Sequence, residues 1–127
     1  MNQQRPALLD ISHSSRGGKD TVVISLGWHD HEYRGEATGS VDPEHPVRVF
    51  GEATLRAVEQ VSGGRLTAEL LAVATTDLGP VRIALAQVRV QDSPEPLVGS
   101  SVVMEDPPRA AVKAVLDAVN RRLEAVL

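Results

Sequence analysis

The sequence predicts an α+β protein built from two βββα units, with antiparallel sheets packed on two helices about a pseudo-two-fold axis. Three observations lead there. Strand-like runs, TVVISLGW (residues 21–28) and HEYRGEAT (residues 31–38), precede an apolar stripe of helical period between residues 47 and 61. Strand-like residues return after residue 66 and lead into a second helical stripe from Pro107 to about Ala125. Finally, the spacing from Gly35 to Asp42 recurs between Gly99 and Asp106, and ATLRAVE (53–59) aligns with AVLDAVN (114–120), with Ala, Leu, Ala and Val identical in order. One domain over residues 1–127 is expected, with units 1–64 and 65–127 sharing a core.

The elements follow in order. ALLDISH (7–13) is a first strand, and Gly17-Gly18 turns the chain because glycine takes positive φ at no steric cost. In HEYRGEAT, His31, Tyr33, Gly35 and Ala37 alternate with Glu32, Arg34, Glu36 and Thr38, one face for the core and one for water. After Asp42-Pro43 the period changes: Val47, Phe50, Thr54, Ala57, Val58 and Val61 form one helical stripe, with Gly51 beside it as a packing position. Arg48–Glu52 and Glu52–Arg56 are i,i+4 pairs on the opposite side, and Gly63-Gly64 ends the helix.

Residues 66–76, LTAELLAVATT, fit helix by propensity and strand by position between two turns. In GPVRIALAQVRVQ, Val81, Ile83 and Leu85 share one parity while Val88 and Val90 have the other, which predicts a bulge near Ala86–Gln87. The last helix is apolar over so much of its circumference that it requires cover on two sides. Each Asp-Pro reads as a helix start: Asp accepts hydrogen bonds from the first turn, and Pro at the first helical position sacrifices none. The first unit carries three extra residues there, Glu44-His45-Pro46.

Composition narrows the function. Phe50, Tyr33 and Trp28 are the only aromatics, so the core must be Val, Leu, Ile and Ala in close contact. The chain has no cysteine, hence no disulfide, thiol nucleophile or Cys-ligated zinc. A net charge of −4, without a basic face or stacking aromatics, gives no platform for nucleic acid. The opening MNQQRPALLD lacks a signal-peptide pattern and no run reaches membrane-spanning length, so a cytoplasmic protein without membrane partners is expected.

Candidate chemistry is thin. His29-Asp30-His31 places two imidazoles at alternate positions with no third ligand, so no metal is expected and a polar hairpin turn is the simpler account. Arg16-Gly17-Gly18-Lys19 lacks the remainder of a phosphate loop. Ser14-Ser15 and Ser100-Ser101 have no nucleophile elbow, and His13 and His45 read as surface residues. Trp28 beside a turn reads as a partly buried anchor. No enzymatic activity and no cofactor are expected. GEATGSVDP (35–43), small residues opening onto a helix start, has the form of a carboxylate cradle, because unpaired N–H groups and the helix dipole point at an anion there.

That string also resembles the Gly-x-Gly-x-Gly-Pro-Val-Asp-Ala signature of the C-terminal regulatory domain of alpha-isopropylmalate synthases and related citramalate synthases. Gly35, Gly39, Val41 and Asp42 match it, whereas Ala37, Ser40 and Pro43 replace the middle glycine, the proline and the alanine. AVLDAVNRR (114–122) stands where that family ends its second unit, and Gly99 and Ser101 mark the second, thinner Gly-rich segment. The resemblance spans roughly residues 20–122. It implies a duplicated βββα fold and a homodimer. It also implies a site for a small carboxylate, such as a branched-chain amino acid, at Gly35, Ala37, Gly39, Ser40, Val41, Asp42, Gly99 and Ser101. Catalysis in that family belongs to a separate barrel. The chain is thus expected to be a free-standing regulatory or dimerisation domain, or a protein-interaction scaffold that lost the ligand site.

Overall fold

Two helices, α1 (Arg48–Val61) and α2 (Pro107–Val126), pack against each other, and each also covers a three-stranded antiparallel sheet. The computed structural model describes residues 5–127; residues 1–4 of the expected domain lie outside the described residues. The first sheet runs β1 (Ala7–Arg16), β2 (Lys19–Trp28), β3 (His31–Ser40). The second runs β4 (Ala68–Leu78), β5 (Val81–Val90), β6 (Leu97–Val102). The duplicated βββα unit is therefore present, and the ambiguous segment 66–76 falls mainly in strand β4. No helix of the described residues is long and apolar enough to cross a membrane.

Short turns set the strand registers. Gly17 and Gly18 take φ of 59° and 77° in a two-residue loop that pairs Arg16 with Lys19. His29 and Asp30 adopt the same left-handed region without glycine, at 47° and 64°, so that Trp28 pairs with His31. Because side chains alternate, these registers decide which residues meet the helices.

The break in register lies across from where the β5 pattern places it. Strand β5 keeps one parity throughout, with Ala84, Ala86, Val88 and Val90 buried inward. The irregularity sits on its partner β4, between Leu70 and Ala72, and β1 carries the equivalent one between Leu8 and Asp10. Two inward alanines misled the sequence pattern: they are the core face, and Val81 and Leu85 point away from it, exposed. Alanine suffices at those positions because α2 lies close over β5 and β6.

One hydrophobic cluster spans both units. Helix α1 buries Phe50, Ala53, Ala57, Val58 and Val61, and α2 buries Val112, Val115, Val119 and Leu123. The expectation that α2 needs cover on two sides is met by β5, β6 and β4 with α1. Thr54, wholly buried, satisfies its hydroxyl on the Phe50 carbonyl at 2.7 Å.

The helix starts differ. Asp106 caps α2: its Oδ1 accepts from the Arg109 N–H at 3.4 Å, and proline fills the first position. Asp42 does not cap α1, contrary to the expectation for both Asp-Pro pairs. The three extra residues Glu44-His45-Pro46 displace the helix to Arg48, and Val47 stands at its N-cap without a side-chain hydrogen bond. At the other end Gly63 and Gly64, both at positive φ, return their N–H groups to the Gln60 and Glu59 carbonyls.

Helix side chains also occupy backbone groups on the edge strands. Arg56 Nη1 donates to the Glu36 carbonyl on β3 at 2.6 Å, and the Ser100 N–H on β6 donates to Asp117 Oδ2 at 2.9 Å. Arg56 and Asp117 align in the repeat, as do Glu36 and Ser100, so the tie keeps its place and reverses its polarity. Arg48 and Glu52 form their expected pair at 3.0 Å, while Arg56 is directed to the sheet.

Beside each tie lies a backbone contact. A Cβ on Gly35 would stand 2.1 Å from Ala57 N and 2.3 Å from the Ala53 carbonyl oxygen. A Cβ on Gly99 would stand 2.1 Å from the Ala114 carbonyl oxygen and 2.3 Å from Ala118 N. Backbone cannot yield as a flexible side chain can, so each helix must lift off its sheet to admit one methyl. Gly35→Ala and Gly99→Ala are each expected to destabilise by about 3 kcal/mol, at the upper end of overpacking costs. Gly39→Ala, whose Cβ meets only Val49 Cγ2 at 2.9 Å, should cost clearly less. Urea unfolding of the three variants checks the ranking.

Candidate functional site

The eight residues singled out in the Gly-rich segments fall into two separate units. Gly35 and Ala37 are buried on the inward face of β3, Gly35 against α1 as above and Ala37 1% exposed. Gly39 is half-buried beneath Val49, and Ser40 and Val41 are exposed. The Val41 N–H donates to the Gly18 carbonyl at 3.0 Å, prolonging the sheet ladder. Gly99 and Ser101 belong to β6, paired with Ala86 and Ala84, and Gly99 is closed over by α2. The fold places the two segments at equivalent points of two sheets, each under its own helix, rather than around one shared space. Five surface clefts draw none of their lining from these eight residues.

Asp42 is engaged locally. Its Oδ2 lies 2.9 Å from His45 Nδ1, and its Oδ1 accepts from the Glu44 N–H at 2.9 Å. These bonds, that to His45 foremost, hold its carboxyl below the usual range. The anion-cradle geometry expected of GEATGSVDP requires free N–H groups at a helix start. Here Asp42 closes a turn ahead of that start.

A polar cluster stands where none was expected. The Gly17-Gly18 turn sets Ser15 directly across from Asp20, and His13 lies two residues back on the same face. Ser15 Oγ donates to Asp20 Oδ1, and His13 Nε2 stands 2.9 Å from that same oxygen and 3.4 Å from Ser15 Oγ. The Asp20 carboxyl is held below its ordinary value, first by Ser15 and then by His13. The set has the residue types of a serine hydrolase without its relay. Activation needs the imidazole between hydroxyl and carboxylate, one nitrogen for each. Here a single nitrogen meets both, and the hydroxyl donates its hydrogen bond to the carboxylate. The His13 ring instead sits edge-on to Phe50, with centroids 5.1 Å apart. Only the hairpin register brings the three together, although a two-residue Gly-Gly turn was the signal that could have found them.

The remaining motifs resolve into turns. The His29 ring lies against Trp28 at 4.1 Å and His31 faces Tyr33 at 6.4 Å, and Trp28 is half-buried as an anchor. Among the described residues no group of three or more His, Asp or Glu side chains is placed to hold a metal ion. Arg16-Gly17-Gly18-Lys19 is a hairpin turn between β1 and β2.

A cleft that joins both units holds about 540 Å³ between the turn 43–47, residues 73–75, Arg82 and Pro107-Pro108. Four prolines, Pro43, Pro46, Pro107 and Pro108, line it beside the polar Glu44, His45 and Thr75. Arg82 on its wall already donates to Thr75 Oγ1 at 3.0 Å. No protein-family model matches the chain, and no curated protein matches it.

Both engaged carboxylates carry a consequence for acid stability. A carboxyl whose folded-state pKa lies below its unfolded value of about 3.9 adds stability that is present above that value. The contribution is lost as pH falls through the folded-state pKa. Asp20→Asn and Asp42→Asn should therefore lower stability at neutral pH and flatten its decline below about pH 4, relative to wild type. Urea midpoints measured across that range for each variant test this.

Proposed function

We propose that this chain is a non-enzymatic association module: a duplicated βββα scaffold that acts by holding a protein partner and requires no cofactor. The observation that carries the proposal is the filled space at Gly35 and Gly99. At both positions the absent side chain admits helix backbone, which would stand 2.1 Å from an added methyl, rather than a ligand. The engagement of Asp42 by His45 and the Glu44 N–H supports the same view, since the one charged residue of the matched signature is turned to local structure.

The resemblance to the regulatory domain of alpha-isopropylmalate synthases bears on scaffold and association, and the departures at Ala37, Ser40 and Pro43 fall on the ligand-binding string. The competing view, a sensor of a branched-chain amino acid or a similar carboxylate, is what the test below is built to reveal. The polar cluster does not favour catalysis: Ser15 Oγ donates to Asp20, and the one His13 nitrogen near that hydroxyl lies closer to the same carboxylate oxygen, so imidazole does not stand between hydroxyl and carboxylate.

Thermal unfolding at fixed protein concentration with millimolar leucine, isoleucine, valine and short keto or hydroxy acids should leave the transition unchanged. A ligand at about a hundred times its dissociation constant would stabilise the native state by roughly 2.7 kcal/mol. A shift with one of them, abolished by Asp42→Ala in a variant that still folds, would replace the association module with a sensor.

A further inference from the structure

We propose that the outer face of the β4–β5–β6 sheet seats a second copy of this chain, sheet against sheet across a two-fold axis. The proposal rests on the association reading above and names its partner and surface. It begins from a difference between two units that otherwise repeat. On the first sheet, the face turned away from the helices carries Ser12, Ser14, Arg34, Glu36 and Thr38 around the central strand's Thr21, Val23 and Ser25. On the second, the equivalent face carries Leu78, Val81, Ile83, Leu85, Val98 and Val102, with Ala72, Ala74 and the uncharged Thr76, Gln87 and Ser100 between them. Leu78 is 68% exposed, Val98 65% and Val102 51%. From Ile83 to Ala86 strand β5 is thus apolar on both faces, the pattern of a strand covered on both sides. Both helices already lie on the inner faces.

Area, charge and relief each favour a copy of the same face as its cover. The uncharged outer face is three strands wide and leaves Leu78, Val81, Leu85, Val98 and Val102 each at least 39% exposed, an expanse on the scale of the ~800 Å² that each partner gives to a standard interface. An isologous contact sets residues near the axis against their own copies, so a charge there would repel itself. The outward positions of β5 from Val81 to Gln87 and of β6 from Val98 to Val102 carry none, and Arg89 and Glu69, cross-strand partners, stand at one end of the sheet. Elsewhere the chain, at −4, repels its copies, so a neutral face is where they can meet. The same net charge disfavours an anionic bilayer, which recruits apolar faces framed by Lys and Arg. Alanine, valine, isoleucine and leucine without an aromatic make a low surface suited to face-to-face sheet packing at about 10 Å.

The test is the mass of the full chain in solution by light scattering after size exclusion, over a range of micromolar concentrations. The expected result is a dimer, twice the 13.6 kDa of one chain. Val98→Glu and Leu85→Glu should raise the dissociation constant at least a hundredfold with unchanged circular dichroism, whereas Ser12→Glu on the polar sheet should not. Because the chain has no cysteine, single replacements report contacts without background. Oxidation of Leu85→Cys, Val98→Cys and Ser100→Cys, each measured separately, should cross-link at least one pair of copies, and Ser12→Cys should not. This arm stands even if a glutamate variant fails to fold. A monomer at every concentration, a dimer that survives both glutamates, or capture of the monomer by lipid vesicles through this face would each overturn the proposal. A monomer that still ignores the carboxylates would leave the association module with another partner, whereas a carboxylate-induced shift would remove that module itself.

Discussion

The structure depends on two places where a strand touches a helix with no side chain between them. Gly35 lies on Ala53 and Ala57, and Gly99 lies on Ala114 and Ala118. These are repeat mates, so one contact is used twice. Each is secured one residue further on, where Arg56 or Asp117 takes a backbone group of Glu36 or Ser100. Contact and tie together fix how far each helix stands from its sheet. That distance explains why Ala84 and Ala86 fill the space beneath α2, and why a core so poor in aromatic residues still buries Ile24, Leu26 and Leu123 completely.

The repeat is closest where the units pack and diverges where they face outward. Glu44-His45-Pro46 displaces α1 and frees Asp42 to close a turn, while Asp106, without such an insertion, caps its helix. The outer faces diverge further: the first carries Arg34 and Glu36, whereas the second has the exposed aliphatics Val98 and Leu85 about its centre. Internal contacts constrain both copies alike, because a methyl at either glycine meets backbone. Outer positions answer only to what lies beyond the fold, and there the two units have separate surroundings.

The Gly-rich segments show the limit of a motif. A run of small residues before a helix is needed wherever something approaches the backbone closely, and the approaching group can equally be a ligand or another part of the chain. Sequence records the missing side chain and not what takes its place. The His13, Ser15 and Asp20 cluster has the opposite character: its residue types invite a catalytic description, and only the distances to a single imidazole nitrogen remove it.

By itself the sequence determined the repeat, the number and order of elements and the stripes of both helices, because periodicity is a local property that burial enforces. It also carried the helix-ending glycines and the Asp106 cap, which depend on residues within one turn. Tertiary structure decided the face on which β5 turns inward, since alanine is neutral in pattern and becomes core only when a helix lies close above it. It decided that 66–76 contributes a strand, since pairing with β5 outweighs helical propensity. It decided the role of Gly35 and Gly99 as well, because what fills the space beside a glycine comes from residues some twenty positions away in sequence and is set by packing alone.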